Sequence, residues 1–375
     1  MTSEDERFMR RALSLARRGL GRTSPNPMVG AVLVRDGRVI GEGYHRRFGG
    51  PHAEIEAIAD AGGDTSGATL FVTLEPCCHL GKKTPPCLDT LLRHDLRRVV
   101  IGTIDPNPAV SGRSAKALRD HGIETATGVL EKECRRLNEV YFKYIRTRMP
   151  FVTIKYAATL DGRIATAASA SRWISSPASL KLAHRLRSLH DAVLVGAGTI
   201  LADDPRLTVR LVRGRSPVRF VLDSRLRIPV DARVLDEQET AKTLIVSTPG
   251  ADAEKAAQLA GRGLELMTVR EDQAGLVHLD DMLRKAGEKG ISSVLVEGGA
   301  TVITSFIRRG LADRFVVILA PKILGKGIEA VHDLGILEVR DALGLTFTGV
   351  RRSGEDIVIE ARPATGGAHR SPGSS

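Results

Sequence analysis

The chain has 375 residues, 42% hydrophobic and 26% charged, which exceeds what one ordinary core uses and predicts two domains. No run approaches the roughly 18 consecutive apolar residues of a membrane span, so no membrane partner is expected. The net charge of +11 is spread evenly: residues 1–146 hold 23 Lys/Arg against 18 Asp/Glu, residues 150–375 hold 31 against 26, and Arg148 supplies the rest. Nucleic-acid binders more often gather charge on one face or tail, so no nucleic-acid partner is expected; an even excess also suits a phosphorylated small molecule and anionic cofactors.

In chain order, Phe8, Ala12, Leu15 and Ala16 recur at helical spacing and predict an amphipathic helix over 4–19. Glu4, Asp5 and Glu6 oppose a transit peptide, and no secretory signal is read, so a cytoplasmic setting is expected. A hairpin follows, Val29–Val34 and Arg38–Gly43 around Asp36-Gly37. Pro51 opens a helix, Thr69–Leu74 is a strand, Leu88–Leu92 a helix and Arg98–Ile104 a strand. After Asp105-Pro106-Asn107-Pro108 come a helix and a short strand, which completes an α/β layered domain. The junction falls at 146–150, before a strand at Phe151–Tyr156. The second half alternates again: helices over 179–188, 280–288 and 301–309, and strands over 192–196, 218–223, 243–247, 293–297 and 314–320. Residues 364–375, rich in Gly and Ser, read as a disordered tail.

Four cysteines do not make a disulfide framework at this length, and Cys77, Cys78 and Cys87 crowd beside histidines, which favours a metal. His52, Cys77 and Cys87 offer one imidazole and two thiolates, leaving a fourth tetrahedral position of zinc for water, the catalytic arrangement. Bound zinc lowers the pKa of water from about 16 to about 7. Mid-helix, His52 and Glu54 would point about 200° apart, so they can converge only at a helix start, where Pro51 places them. Cys77 is expected to open a helix of its own, whose free N–H groups favour the thiolate. Glu54 is assigned to carry the water proton to the ring nitrogen and the departing amine, the division of labour in zinc base deaminases. A structural zinc site is the bland alternative.

The segments Ser24-Pro25-Asn26-Pro27-Met28-Val29-Gly30, Gly49-Gly50-Pro51-His52-Ala53-Glu54, Thr73-Leu74-Glu75-Pro76-Cys77 and Thr84-Pro85-Pro86-Cys87 resemble the bifunctional riboflavin biosynthesis deaminase/reductase family. The resemblance implies a cytidine-deaminase-like three-layer fold for residues 1–146 and a zinc-dependent pyrimidine deaminase. Its substrate would be 2,5-diamino-6-(5-phosphoribosylamino)pyrimidin-4-one, with Asn26 near the pyrimidine. The loop between the cysteines is one residue longer than the family's, at Lys82-Lys83, which leaves Cys78 as the alternative to Cys77. Cys77 is preferred because it directly follows Glu75-Pro76. That long loop, in place of Cys-x-x-Cys, disfavours the rival reading of a nucleic-acid base deaminase.

In the second half, a strand running into Gly298-Gly299-Ala300-Thr301 and a helix suits a phosphate, although a bare βα turn would look the same. Gly196-Ala197-Gly198 lacks the third glycine of a Rossmann fingerprint, since Leu201 takes its place. The segments Lys155–Arg163, Ser171–Ile174, Leu201–Arg210, Asp223-Ser224 and Ala320–Gly325 are similar to the reductase domain of the same family. The resemblance implies a dihydrofolate-reductase-like α/β domain over 150–363 that reduces ribosyl to ribityl with NADPH. It places the cofactor at Ala157, Trp173, Thr199, Asp203, Ser224 and the stretch Gly299, Ala300, Thr301, Val302, Ile303, Thr304 and Ser305. It places the substrate at Ser171, Arg187, Leu207, Arg210 and Glu297. Arg187 and Arg210 suit a ribose phosphate, because a guanidinium presents a fork of donors. A homo-oligomer is also expected.

Overall fold

The computed structural model describes residues 2–79 and 85–364. The expected tail from 365 onward and the Lys82-Lys83 insertion lie outside the described residues. The chain divides into two compact units, Met1–Arg148 and Met149–Ser375.

The first unit runs α1 (Ser3–Ala16), β1 (Gly30–Arg35), β2 (Arg38–Tyr44), α2 (Ala53–Asp60), β3 (Ala68–Val72), α3 (Cys87–Leu91), β4 (Leu96–Ile101), α4 (Arg113–Asp120), β5 (Glu124–Thr127), α5 (Glu131–Leu137) and α6 (Glu139–Thr147). The strands form one sheet in the order β2-β1-β3-β4-β5, antiparallel through β1 and parallel from β3 to β5. Period-two alternation divides its side chains between two cores. Val32, Val34, Phe71 and Val100 pack with Phe8, Met9, Ala12 and Leu13 of α1. Leu33, Leu70, Val72, Val99 and Ile101 pack against Ile58, Leu91 and Leu118 on the other face. The result is three layers. Each such buried Leu, Ile or Val contributes about 1.5–3 kcal/mol of transfer free energy.

The second unit runs β6 (Phe151–Thr159), β7 (Arg163–Thr166), α7 (Pro177–Leu189), β8 (Ala192–Gly196), α8 (Ala197–Asp203), β9 (Val218–Leu222), β10 (Thr243–Ser247), α9 (Ala253–Gly261), β11 (Glu265–Thr268), α10 (Leu279–Glu288), β12 (Ser293–Val296), α11 (Ala300–Arg308), β13 (Arg314–Ala320), β14 (Gly327–Glu329), β15 (Leu345–Ser353) and β16 (Asp356–Pro363). Nine of these strands form one sheet, β11-β10-β9-β8-β12-β6-β13-β16-β15, parallel from β11 to β13 and antiparallel at the β16-β15 edge. Alternation again splits the core: Leu194, Phe220, Val246 and Val296 meet Met282, Ile303 and Phe306, while Val193, Val195, Val221 and Ile245 meet Ile200, Leu226, Ile228 and Leu259. The β15–β16 hairpin was not read from the sequence. β15 is exposed almost throughout, so its side chains carry no clean inward–outward alternation. Among the described residues no helix is long and apolar enough to cross a membrane.

Candidate functional site

In the first unit the backbone of α2 lies directly against β2. A Cβ on Gly43 would come within 2.2 Å of the Ala53 carbonyl, and one on Gly41 within 2.3 Å of the Ala57 carbonyl. Only glycine permits that approach. The packing sets His52, the N-cap of α2, and Glu54, in its first turn, at one end of the helix. The Nδ1 of His52 lies 3.1 Å from Cys87 Sγ and 3.4 Å from Cys77 Sγ. The ligand atoms of His52, Cys77 and Cys87 all lie within 4.8 Å of one another, and among the described residues no fourth His, Cys, Asp or Glu joins the group. A tetrahedral zinc would set such atoms roughly 3.5–3.8 Å apart, so this donor set fits that ion. Cys78 stands outside the group, its Sγ 3.7 Å from the Ala109 carbonyl.

Two local expectations change. Cys77 sits in a loop, and Cys87 is the residue that opens a helix, α3. The thiolate-favouring N–H comes across the loop instead: Cys87 N donates to Cys77 Sγ at 3.3 Å. The loop is anchored by Glu75, a residue without a role in the sequence reading. Its buried carboxylate accepts the backbone N–H groups of Asp105, Gly112, Ser114 and Ala115 at 2.9–3.2 Å, while Ser114 Oγ donates to the Pro76 carbonyl at 2.7 Å. The residue before the Pro-Cys pair is thus tied to the start of α4, where free amides and the helix dipole favour an anion.

Glu54 is 3% exposed, and its Oε2 has no hydrogen-bond partner. Burial, with the nearby Cys77 charge second, pushes its carboxyl above the ordinary range. An unsatisfied buried carboxylate oxygen costs free energy and calls for an explanation, a catalytic role among them. Asn26 is oriented by a second residue absent from the sequence reading, His45. The His45 ring lies 2.9 Å from the Pro51 carbonyl through Nδ1 and 3.2 Å from Asn26 Nδ2 through Nε2, edge-on to His52. Burial lowers the His45 pKa, which suits a neutral ring donating through Nδ1 and accepting through Nε2.

The second unit holds a cavity of about 1400 Å³ at the carboxyl ends of its parallel strands, the usual crevice of open α/β sheets. Ala157, Trp173, Thr199, Asp203, Ser224, Gly299 to Ile303 and Ser305 line it, as do Ser171, Arg187, Leu207, Arg210 and Glu297. Thr304 is the exception: it is buried, donates to the Ala300 carbonyl and accepts the His332 N–H, because the helical repeat turns it toward the core. Gly299 caps α11 at φ 68°, and a Cβ on Gly298 would meet Thr199 Oγ1 at 2.8 Å. The turn therefore brings backbone close to the cavity, as a phosphate cradle needs. Ser171 Oγ donates to Asp203 Oδ1 at 2.8 Å, joining a residue expected at the substrate to one expected at the cofactor.

Arg187 grips Glu297 through both forks, Nε–Oε1 at 2.7 Å and Nη2–Oε2 at 2.8 Å. Burial alone would raise the Glu297 pKa, but the Arg187 charge outweighs it and holds the carboxyl at about 2. Lys155 and His184 also line this cavity and were not singled out beforehand. Lys155 was detectable: it is the one charged residue in the run from Phe151 to Ala158 of a central strand. Burial lowers its pKa despite the attraction of Glu297.

Residues 2–103 match the cytidine and deoxycytidylate deaminase zinc-binding region, and residues 150–359 match the RibD C-terminal domain. The chain is 45% identical over 356 residues to the riboflavin biosynthesis protein RibD of Aquifex aeolicus, covering 95% of this chain and 97% of that one. It belongs to the RibD family. Members of this family join a deaminase to a reductase of riboflavin biosynthesis, and this chain is such a bifunctional enzyme. Its fold is similar to that of the Thermotoga maritima diaminohydroxyphosphoribosylaminopyrimidine deaminase/5-amino-6-(5-phosphoribosylamino)uracil reductase, at TM-score 0.82 and 41% identity over 96% of this chain and 99% of that one. Acinetobacter baumannii RibD superposes at TM-score 0.86 with 34% identity and the same coverage. A RibD-type reductase half and full-length kinship set aside the nucleic-acid deaminase reading.

Proposed function

We propose that the first unit hydrolyses the amine from 2,5-diamino-6-(5-phosphoribosylamino)pyrimidin-4-one, and that the second unit reduces the ribosyl group of the product to ribityl with NADPH. The observation that carries the reading is the convergence of His52, Cys77 and Cys87 beside the unpartnered Oε2 of Glu54. His52, Cys77 and Cys87 would hold zinc, which supplies water of lowered pKa at the ring carbon. Glu54 passes one water proton to the ring nitrogen as hydroxide adds to the ring carbon, then carries the second from the new hydroxyl to the amine, so that ammonia leaves as the carbonyl forms, a role its burial and raised pKa support. Asn26, turned by His45, offers its amide to the pyrimidine edge.

In the second unit, the Gly298-Gly299 turn and the first amides of α11 receive the cofactor phosphates, while the nicotinamide supplies hydride to the sugar carbon. Lys155, the ammonium that burial makes readiest to release its proton, serves the ring oxygen as ribose opens. Glu297 holds Arg187 in place at the substrate end. The test is a coupled assay on purified protein with metal analysis, NADPH being added after ammonia release ends. Cys87→Ser should lose zinc and ammonia release while still oxidising NADPH on deaminated substrate. Loss of both activities in a folded variant would refute this division of labour. We also propose self-association, since the edge strand β15 exposes Leu345, Phe347 and Val350 beside unpaired backbone; a monomer mass by light scattering would refute it.

A further inference from the structure

We propose that His184 is a further substrate-positioning residue of the reductase unit, an imidazole held in its Nε2–H tautomer that donates to the 5′-phosphate of the ribosyl substrate. This rests on the reductase reading above. His184 lies on α7 three residues before Arg187, so both side chains share one helix face, and both line the cavity. The main-chain N–H of Arg210 donates to His184 Nδ1 at 2.9 Å. A nitrogen that accepts a hydrogen bond carries no proton, so in the neutral ring the proton resides on Nε2. Nε2 has no hydrogen-bond partner among the described residues.

The surrounding charges explain why a neutral donor stands here. Arg187, Arg210 and Lys155 face the ring, with Glu297 the single acid among them. Burial first, then repulsion by Arg187 and Arg210, holds the His184 pKa at about 4. A charged imidazole would add a further cation to this crowded corner, whereas the neutral ring adds only an N–H. That donor is needed. Arg187 spends Nε and Nη2 on Glu297, and Arg210 spends Nη1 on Thr208. A phosphate entering beside Leu207 and Arg210 would find free donors chiefly on Arg210 and at His184 Nε2.

The competing role is a staple that merely ties α7 to the backbone at Arg210. Two substitutions separate them. His184→Asn keeps an acceptor near the position of Nδ1 and deletes the distal N–H, whereas His184→Gln keeps a distal N–H and loses the near acceptor. Each variant would be assayed with saturating NADPH on the deaminated ribosylaminouracil with and without its 5′-phosphate, after its melting curve has shown that it is folded. For His184→Asn, KM for the phosphorylated substrate should rise about ten- to a hundredfold, the value of one hydrogen bond to a charged group. Its kcat should change by no more than a few-fold, the dephosphorylated substrate should be unaffected, and His184→Gln should recover most of the loss. A His184→Asn protein that keeps the wild-type preference for phosphate would overturn the proposal. So would Asn and Gln variants that impair both substrates equally. Wild-type protein that reduces neither substrate would sink the reductase reading itself, a distinct result.

Discussion

Glu54→Gln should slow ammonia release by about 10²- to 10⁴-fold, the range of a positioned general acid–base group. The substitution preserves volume and can still hydrogen-bond, but an amide cannot ferry a proton between water and ring. Because Glu54 is not one of the three clustered donors and glutamine keeps its volume in the buried site, the variant should bind zinc stoichiometrically and melt near the wild-type temperature. Removing a buried, partly orphaned carboxylate can even stabilise the fold, since the native state no longer bears its desolvation. Steady-state ammonia release and zinc content on the same preparation decide the matter. A variant within tenfold of wild type would show that the proton travels by another route. Loss of zinc would show that Glu54 supports the ligands rather than the chemistry.

Glu297→Ala should destabilise the second unit by about 3–5 kcal/mol, the usual cost of stripping one partner from a buried ion pair. Arg187 would remain 13% exposed with no carboxylate to face, close to Arg210 and Lys155. Unfolding in denaturant followed by circular dichroism measures the loss. The pH dependence follows from the depressed pKa. The folded protein keeps Glu297 ionised down to about 2, while an unfolded chain protonates it near 4.5, so unfolding takes up a proton between those values. The stabilisation from this pair is therefore complete above about pH 4.5 and is lost as the pH falls toward 2. In the Ala variant that part of the acid dependence should vanish, leaving a flatter stability profile. A measured loss below 1 kcal/mol at pH 7 would show that the pair contributes little to the fold and serves recognition alone.

Much of the first site was legible because its chemistry is written in short, ordered segments. His52, Glu54, Cys77 and Cys87 each follow a proline by one to three residues, and only a few residue types bind zinc. The near-continuous apolar runs of β1, β3, β8, β10 and β13 were equally plain, since a strand covered by helices on both faces must be apolar along its length. The partners that hold those ligands were not legible. Glu75 reaches four amides up to 40 residues away, and His45 joins Asn26 to the Pro51 carbonyl across a hairpin, contacts that no local spacing announces. In the reductase unit the gap is wider. Lys155, His184, Arg187 and Glu297 come from β6, α7 and the end of β12, and only the parallel pairing of β12 with β6 and β8 brings them to one cavity. Which residues can do chemistry is a property of their side chains and can be read along the chain. Which of them meet, which tautomer they hold and which carboxylate stays ionised depend on long-range burial and neighbouring charge, and those exist only once the sheet has formed.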